Sequence, residues 1–129
     1  MPMAAIGVFM AEEYEGILES VKKWIGPSVD YDYFDSDLLM HINSYFAVMS
    51  QCGIGPANGF TVDENSKWDE FVSNGPIQSM AKQYVQLRTR LTFDPPTSSF
   101  VIDSLKKNAE EMEWRMYIQT DSERRLNGF

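Results

Sequence analysis

The sequence predicts an all-α protein: a small helical bundle of about four main helices plus one short helix, with a long loop around residues 53–66. In four separate segments, apolar residues recur every three or four positions, the spacing that places them on one face of a helix. Proline and glycine separate these segments. No segment alternates apolar and polar residues long enough for a strand, and Phe60-Thr61-Val62 is the only short candidate.

The first helix is predicted within EEYEGILESVKKWIG, residues 12–26. Acidic residues lead this segment and two lysines close it, which suits the helix dipole. The pair Gly26-Pro27 is expected to end the helix. The apolar face comprises Ile17, Leu18, Val21, Trp24 and Ile25.

The second helix is predicted from Asp35, a plausible N-cap, to Gly53, which suits the left-handed position after a helix end. The loop that follows is rich in turn residues, and Phe60 and Val62 are expected to hold it on the core. Its glycines lack the spacing and the lysine of a phosphate-binding loop. The apolar stripe of the helix comprises Leu38, Leu39, Ile42, Tyr45, Phe46 and Met49.

A capping-box pattern, Ser66-Lys67-Trp68-Asp69, predicts the short helix, with Trp68, Phe71 and Val72 facing inward. Asn74-Gly75-Pro76 then breaks the chain, and a third long helix is predicted from about Ile77 to Leu91. Its expected inner seam comprises Ile77, Met80, Tyr84, Leu87 and Leu91. The residues assigned to its other faces are Lys82, Gln83, Gln86, Arg88 and Arg90.

The stretch Asp94-Pro95-Pro96 predicts a sharp corner between two helices. A residue before proline avoids helical geometry, and proline has no N–H group to continue the helix. Thr97 or Ser98 is expected to cap a last helix that lies antiparallel to the third, with the tail from residue 120 polar and flexible. The expected inner face comprises Val101, Leu105, Ala109, Met112 and Met116.

Length and charge narrow the class of protein. The 129 residues predict one domain, 1–129, with 1–11 and 120–129 flexible or dependent on assembly. The net charge of −8 argues against free association with nucleic acid, and it favours solubility. It would also suit a surface past which DNA slides. The single cysteine, Cys52, excludes an internal disulfide and makes a reducing cytoplasm the default origin. The apolar N-terminus lacks the features of a signal peptide or a membrane span.

Catalytic and metal-binding patterns are weak. His41 has Asp37 four residues before it and Ser44 nearby, but no oxyanion-hole motif completes a nucleophilic site, so a surface or structural histidine is favoured. The carboxylates of Glu110, Glu111 and Glu113 have no E-x-x-H partner and are interpreted as a solvated helix face. We therefore expect no catalytic residue, no metal and no cofactor.

Tyr31, Tyr33 and Phe34 alternate with aspartates before the second helix. Aromatic residues are favoured in protein interfaces, so this segment is a candidate contact surface. Alternatively, one or two rings fold back against the second helix as a hydrophobic staple. The sequence leaves both alternatives open.

Five motifs follow one another in a specific order and spacing: DSDLLMHINSYFAVMSQCGIGP, then GF, WDEFVSNG, YVQLRTRLTFDPPTSSFVIDSL and EWRM. This succession resembles the gp6-like head–tail connector family of tailed bacteriophages, also called head-completion or adaptor proteins. The resemblance covers roughly residues 17–119. Five short parts are its most specific: 37–43, 53–56, 68–71, 91–99 and 113–115.

The resemblance implies a structural virion protein with no enzymatic activity. Such subunits form a ring, typically twelve-fold, under the portal protein, where they extend the DNA channel and provide the docking site for a downstream neck or tail-completion protein. DNA passes through without specific binding, and no membrane is involved. The implied location is the head–tail neck of the virion, after synthesis in the bacterial host cytoplasm.

By this resemblance, the Pro95-Pro96 corner would fix the angle between two helices, because a ring multiplies any angular error by its number of subunits. The segment Tyr117–Phe129 is a candidate docking segment. The predicted interface residues are Tyr31, Tyr33, Phe34, Phe93, Asp94, Pro95, Pro96, Tyr117, Arg124, Arg125 and Phe129. The alternatives are a small acidic regulatory module of the antitoxin type, encoded by a prophage, and an enzyme that uses His41.

Overall fold

The computed structural model describes residues 15–26 and 33–126. Within these ranges the chain forms five helices and no strand, which confirms the all-α prediction. The helix α3 is a single turn, and the long loop lies between α2 and α3. The helices are α1 (Ile17–Ile25), α2 (Asp35–Gln51), α3 (Trp68–Phe71), α4 (Pro76–Phe93) and α5 (Ser99–Leu126).

Helix α4 is the centre of the bundle. Helix α5 packs along it, α1 and α2 also contact it, and α1 contacts α2. The middle of the core is aromatic: the Phe46 ring lies 4.7 Å from the Phe71 ring and 5.8 Å from the Trp68 ring. These large side chains bury most of the apolar area that holds the short α3 in place, since one turn of helix is not stable alone.

The start of α1 is fixed to the start of α3 by two backbone hydrogen bonds. The Ile17 N–H donates to the Ser66 carbonyl at 2.9 Å, and the Trp68 N–H donates to the Glu15 carbonyl at 3.3 Å. The predicted capping box is wrong by one residue, because Lys67 is the N-cap and its N–H donates to Glu70 Oε1 at 2.7 Å. Ser66 is unavailable as the cap, since its hydroxyl accepts the Asp63 N–H at 2.9 Å.

The long loop is held on the core as predicted, with Val62 buried and the Phe60 ring 5.3 Å from the Phe71 ring. Gly53, with φ +86, follows the end of α2 in the predicted left-handed conformation. The sequence did not indicate the role of Asn43. Its side-chain amide accepts the Val62 N–H at 2.7 Å and donates to the Val62 carbonyl at 3.0 Å, so it pairs with the loop as a strand would.

The inner face of α4 differs from the predicted seam. Tyr84 is buried, but the other four seam residues are only partly buried. A helix that contacts neighbours on several sides also buries small and polar residues. The buried side-chain amide of Gln78 donates hydrogen bonds to Asp69 Oδ1 at 2.8 Å and to the Val72 carbonyl at 2.9 Å. The buried residues of α4 are Gln78, Ala81, Tyr84, Val85 and Thr89.

The corner between α4 and α5 has the predicted caps. The Asp94 N–H donates to the Arg90 carbonyl at 2.9 Å and ends α4. Ser98, one of the two predicted caps, opens α5: its carbonyl accepts the Ile102 N–H at 3.1 Å, and its hydroxyl lies 3.5 Å from the Val101 nitrogen.

Helix α5 extends past the end of α4. Arg88, five residues before the last residue of α4, pairs with Glu113, which is 14 residues after the first residue of α5. Roughly two turns of α5 therefore have no counterpart on α4. Val101 lies in this overhang and is exposed, so its predicted place in the core is wrong, as is that of the exposed Ile25 on α1.

The predicted polar tail begins as helix. Residues 120–126 continue α5, where Arg125 pairs with Asp121 at 3.0 Å across one turn, a spacing that supports helix. Arg124 Nη2 donates to the Gly53 carbonyl at 2.6 Å, so this turn also contacts the end of α2.

Candidate assembly surfaces

The predicted interface residues fall in three places. Tyr33 and Phe34 precede α2, the stretch from Phe93 to Pro96 forms the corner, and Tyr117 lies on the second half of α5 together with Arg124 and Arg125. Tyr117 is 18 residues along α5, about 27 Å from the corner. Tyr31 and Phe129 lie outside the described residues.

The rings of Tyr33 and Phe34 contact each other edge to face, with centroids 4.9 Å apart. Both remain largely exposed, at 74% and 52%, so neither is buried in the core as a staple would be. The ion pair between Lys22 and Asp35, at 3.0 Å, holds this end of α2 on α1. The pair of rings is therefore presented on a fixed part of the bundle, and its role as a contact surface stays a prediction.

At the corner, the ring of Phe93 lies 5.2 Å from the ring of His41, again edge to face. The hydroxyl of Ser44 donates to the backbone carbonyl of His41 at 2.6 Å rather than to its imidazole. The His41 side chain therefore packs against the end of α4, which is a structural position for a histidine.

A polar cluster joins α4 to α5. Arg88 Nη2 donates to Glu113 Oε2 at 2.7 Å, the Tyr84 hydroxyl donates to the same oxygen at 2.9 Å, and Arg88 Nε donates to the Tyr84 oxygen at 3.2 Å. Burial would lower the pKa of Arg88, but its hydrogen bonds to Glu113 and Tyr84 outweigh burial and raise it. The sequence had placed Arg88 and Glu113 on solvated faces, and only the packing of two helices brings them together.

We expect Glu113→Ala to lower the free energy of unfolding by about 2 kcal/mol, because it leaves the half-buried Arg88 without its partner. This value is below that for a fully buried pair, since the two side chains remain 30% and 22% exposed. Urea denaturation of single and double variants would give the coupling energy. The control cycle on Glu111 and Arg115, an exposed pair at 2.6 Å, should give less than about 0.5 kcal/mol. Equal coupling in the two cycles would contradict the prediction.

Burial raises the pKa of Tyr84 to about 12, with Arg88 opposing this shift and Glu113 adding to it. In an unfolded chain, the pKa of a tyrosine phenol is about 10. Between these values the folded state keeps a proton that the unfolded state has lost, so the stability due to neutral Tyr84 is present below pH 10 and disappears as the pH rises to about 12. In a spectrophotometric titration, Tyr84→Phe should remove a late phenolate transition, and an unchanged late transition would contradict this assignment.

The outer face of α5 carries an aromatic patch that the sequence had only partly indicated. The rings of Trp114 and Tyr117 stack with centroids 5.6 Å apart and planes 29° apart. We define the α5 patch as Trp114, Tyr117 and Ile118, which are 61%, 43% and 43% exposed. Tyr117 was a predicted interface residue. Trp114 was missed, although a tryptophan in the charged run EEMEWRM is the signal that could have identified it.

Metal and membrane sites are not evident in the described residues. No group of three histidine, cysteine or acidic residues in residues 15–26 and 33–126 could hold a metal ion. No helix in these ranges is both long enough and apolar enough to cross a membrane. Burial, followed by the charge of Glu113, raises the pKa of the Cys52 thiol, which keeps it protonated and weakly reactive.

Comparison with known proteins identifies a family for the chain. A family model described as phage connector protein matches residues 17–123, from the first residue of α1 into the last turn of α5. No curated protein and no solved structure matches the chain.

Proposed function

The chain belongs to the family of phage connector proteins, and we propose that it is the head-completion or adaptor subunit that forms a ring under the portal. Membership of the family gives a structural role as a connector in the virion, in association with other head or tail proteins. The proposal also includes contact of the ring with the portal protein, docking of a downstream neck or tail-completion protein, and twelve-fold symmetry.

The observation that carries this proposal is the extent of the family match, which includes four complete helices and almost all of α5. A subunit of this size also exposes several large apolar side chains on helices, among them Phe100 at 78% and Trp114 at 61%. Exposed apolar side chains in a cluster are typical of protein contact surfaces. We propose that this protein acts by assembly and performs no catalysis.

The net charge of the chain is compatible with a ring that encloses a DNA channel. Each copy carries a net charge of −8, so a ring of copies would be strongly negative. Carboxylates that face the lumen would repel the phosphate backbone, so DNA would pass without adhering. The proposal therefore includes DNA as a passing partner that is not specifically bound.

Electron microscopy of this protein mixed with the portal ring of the same phage tests the proposal. We expect an added ring-shaped layer on one end of the portal, with a symmetry that can be counted. Bare portals, with the protein left small in solution, would overturn the adaptor assignment and favour another neck position or a regulatory role.

The corner provides a separate test. Replacing Pro95 and Pro96 together by glycine should reduce the fraction of portals that carry the layer, because the angle between α4 and α5 is less restricted. The two prolines lie outside the helices, but glycine gives the unfolded chain more freedom, so the free protein should lose about 1–2 kcal/mol of stability and still fold. The same double substitution at Pro56 and Ala57, in the long loop, is the control. Normal layers from the corner variant would show that the corner serves folding alone.

A further inference from the structure

We propose that the α5 patch of one copy docks on an uncharged face of α2 in the next copy. This inference rests on the proposed function, because it names the two faces through which adjacent copies of the ring meet. The uncharged α2 face is defined as Met40, Ser44, Ala47 and Gln51, which are all exposed.

From Leu38 onward α2 carries no acidic residue, lysine or arginine, which is unusual for this chain. Charged residues make up 23% of the sequence, yet residues 38–62 contain no Asp, Glu, Lys or Arg. Part of this segment is buried, which accounts for its inner side, but the four residues of the α2 face are exposed at successive turns of the helix. Exposed helix faces usually carry charges, and loss of charge is a mark of interface centres.

The α5 patch has the matching electrostatic character. Its neighbouring charges are paired within the helix: Arg115 with Glu111 at 2.6 Å, and Arg125 with Asp121 at 3.0 Å. These pairs neutralise each other, while the exposed Glu110, one turn before Trp114, adds a negative charge at the edge of the patch. An apolar patch with a neutral to negative edge does not attract the phosphates of DNA, so it suits a protein partner.

The net charge of the chain favours a second copy as the partner that docks on the α5 patch. Two copies that each carry −8 repel one another over most orientations. They can approach most easily through faces where charges are absent or internally paired, and the α2 face and the α5 patch are two such faces. A strongly acidic partner would be repelled in the same way. A basic partner would bind more favourably to the unpaired carboxylates elsewhere on the surface.

The sizes of the side chains also fit. Ser44 and Ala47 are small, and they lie between the longer side chains of Met40 and Gln51 on the exposed side of α2. The stacked rings of Trp114 and Tyr117 project from α5 and would fill such a depression, with methionine as an adaptable neighbour. Aromatic side chains that enter a desolvated depression are the residues that dominate binding energy in interfaces.

The two faces belong to different helices, α2 and α5, so the contact joins unlike surfaces of adjacent copies. Helix α4 contacts α1 and α2 and is also the main support of α5. A contact between two different faces is heterologous, so it leaves one face free on each copy and continues until the ring closes. A symmetric dimer through the α5 patch alone would not continue in this way.

Cysteine pairing tests the contact directly. In a Cys52→Ser background, Ala47→Cys and Ile118→Cys are combined in one chain, and the protein is oxidised after the layer has formed on portal rings. We expect a ladder of disulfide-linked multimers. The two single variants should each stay monomeric after oxidation and should give linked dimers when mixed. The control pairs Ala47→Cys with Asn108→Cys, at an exposed position about 180° around α5 from Tyr117, and should give no ladder.

A second measurement uses variants that leave the free subunit folded. Trp114→Ala removes a largely exposed ring and should weaken formation of the layer at least tenfold in the protein concentration required. Asn108→Ala, an exposed change about 120° around the same helix from Trp114, should leave that concentration unchanged. Circular dichroism of each variant verifies that the helices are intact.

The outcomes separate this inference from the proposed function. A normal layer without the ladder, or a layer that tolerates Trp114→Ala, overturns the contact and leaves the adaptor role standing. If the wild-type protein forms no layer, the adaptor role fails, and oxidation of the cysteine pair in concentrated protein alone decides the contact: a ladder supports it, and its absence overturns it.

Discussion

Replacing Trp68 with alanine is expected to lower the free energy of unfolding by about 3–5 kcal/mol, the largest effect of any single substitution considered. Trp68 is 1% exposed, and its ring lies 5.8 Å from that of Phe46 and 6.1 Å from that of Trp24. The indole N–H donates to the Ser20 hydroxyl at 3.0 Å. The substitution would leave a large cavity and remove this hydrogen bond, so two costs add.

The position of Trp68 in the fold increases the consequence. It is the first residue of α3, a single turn of helix whose start is hydrogen-bonded to the start of α1. Without the ring, little holds this turn against the core, so the effect should extend to α1. Urea denaturation followed by circular dichroism would measure the change. Trp114→Ala, which truncates an exposed tryptophan, should cost less than about 0.5 kcal/mol, and a similar loss in both variants would contradict this assignment of the core.

Gly55→Ala is expected to cost about 3 kcal/mol, whereas Gly59→Ala should cost about 1 kcal/mol. Both glycines have left-handed backbones, with φ +87 and +86, so both substitutions incur the strain of placing a side chain in that region. The two positions differ in the room that is available for an added Cβ atom. A Cβ atom on Gly55 would lie 2.4 Å from Phe71 Cε1, while one on Gly59 would have no atom within 4 Å.

The ring of Phe71 cannot easily yield to the added methyl group. It is buried and lies 4.7 Å from the Phe46 ring and 5.3 Å from the Phe60 ring, so a shift would disturb the centre of the core. Thermal or urea unfolding of the two variants side by side separates backbone strain from steric overlap. Equal losses would show that strain alone accounts for both, and that the ring is free to move.

These two glycines show which features of the loop the sequence could predict. The segment GIGPANG predicts a loop with tight turns, because glycine tolerates backbone angles that other residues avoid. The sequence could not rank Gly55 above Gly59, since the ring that approaches Gly55 belongs to α3, sixteen residues further along the chain. Close approach between distant segments leaves no periodic signal.

The same reason explains which exposed aromatic residues the sequence could predict. Tyr33, Phe34 and Phe93 were predicted as interface candidates, and the structure places all three on the surface, at 74%, 52% and 39% exposure. Trp114 was missed because a tryptophan on a helix is usually assigned to the core. Its exposure depends on how α5 is rotated against α4, which the contact between Glu113 and Arg88 helps to set.

The sequence by itself determined the helical class, the order of the five helices, the corner at Pro95 and the family to which the chain belongs. These features depend on residues that are close together in the chain: periodic apolar residues, glycine and proline, and short motifs in a fixed order. Only the tertiary structure decided which side of α4 is buried, that α5 continues to Leu126, and that the α5 patch and the α2 face are exposed. Burial depends on neighbours distant in the chain, and the free energy of packing them is set by the whole bundle rather than by any segment alone.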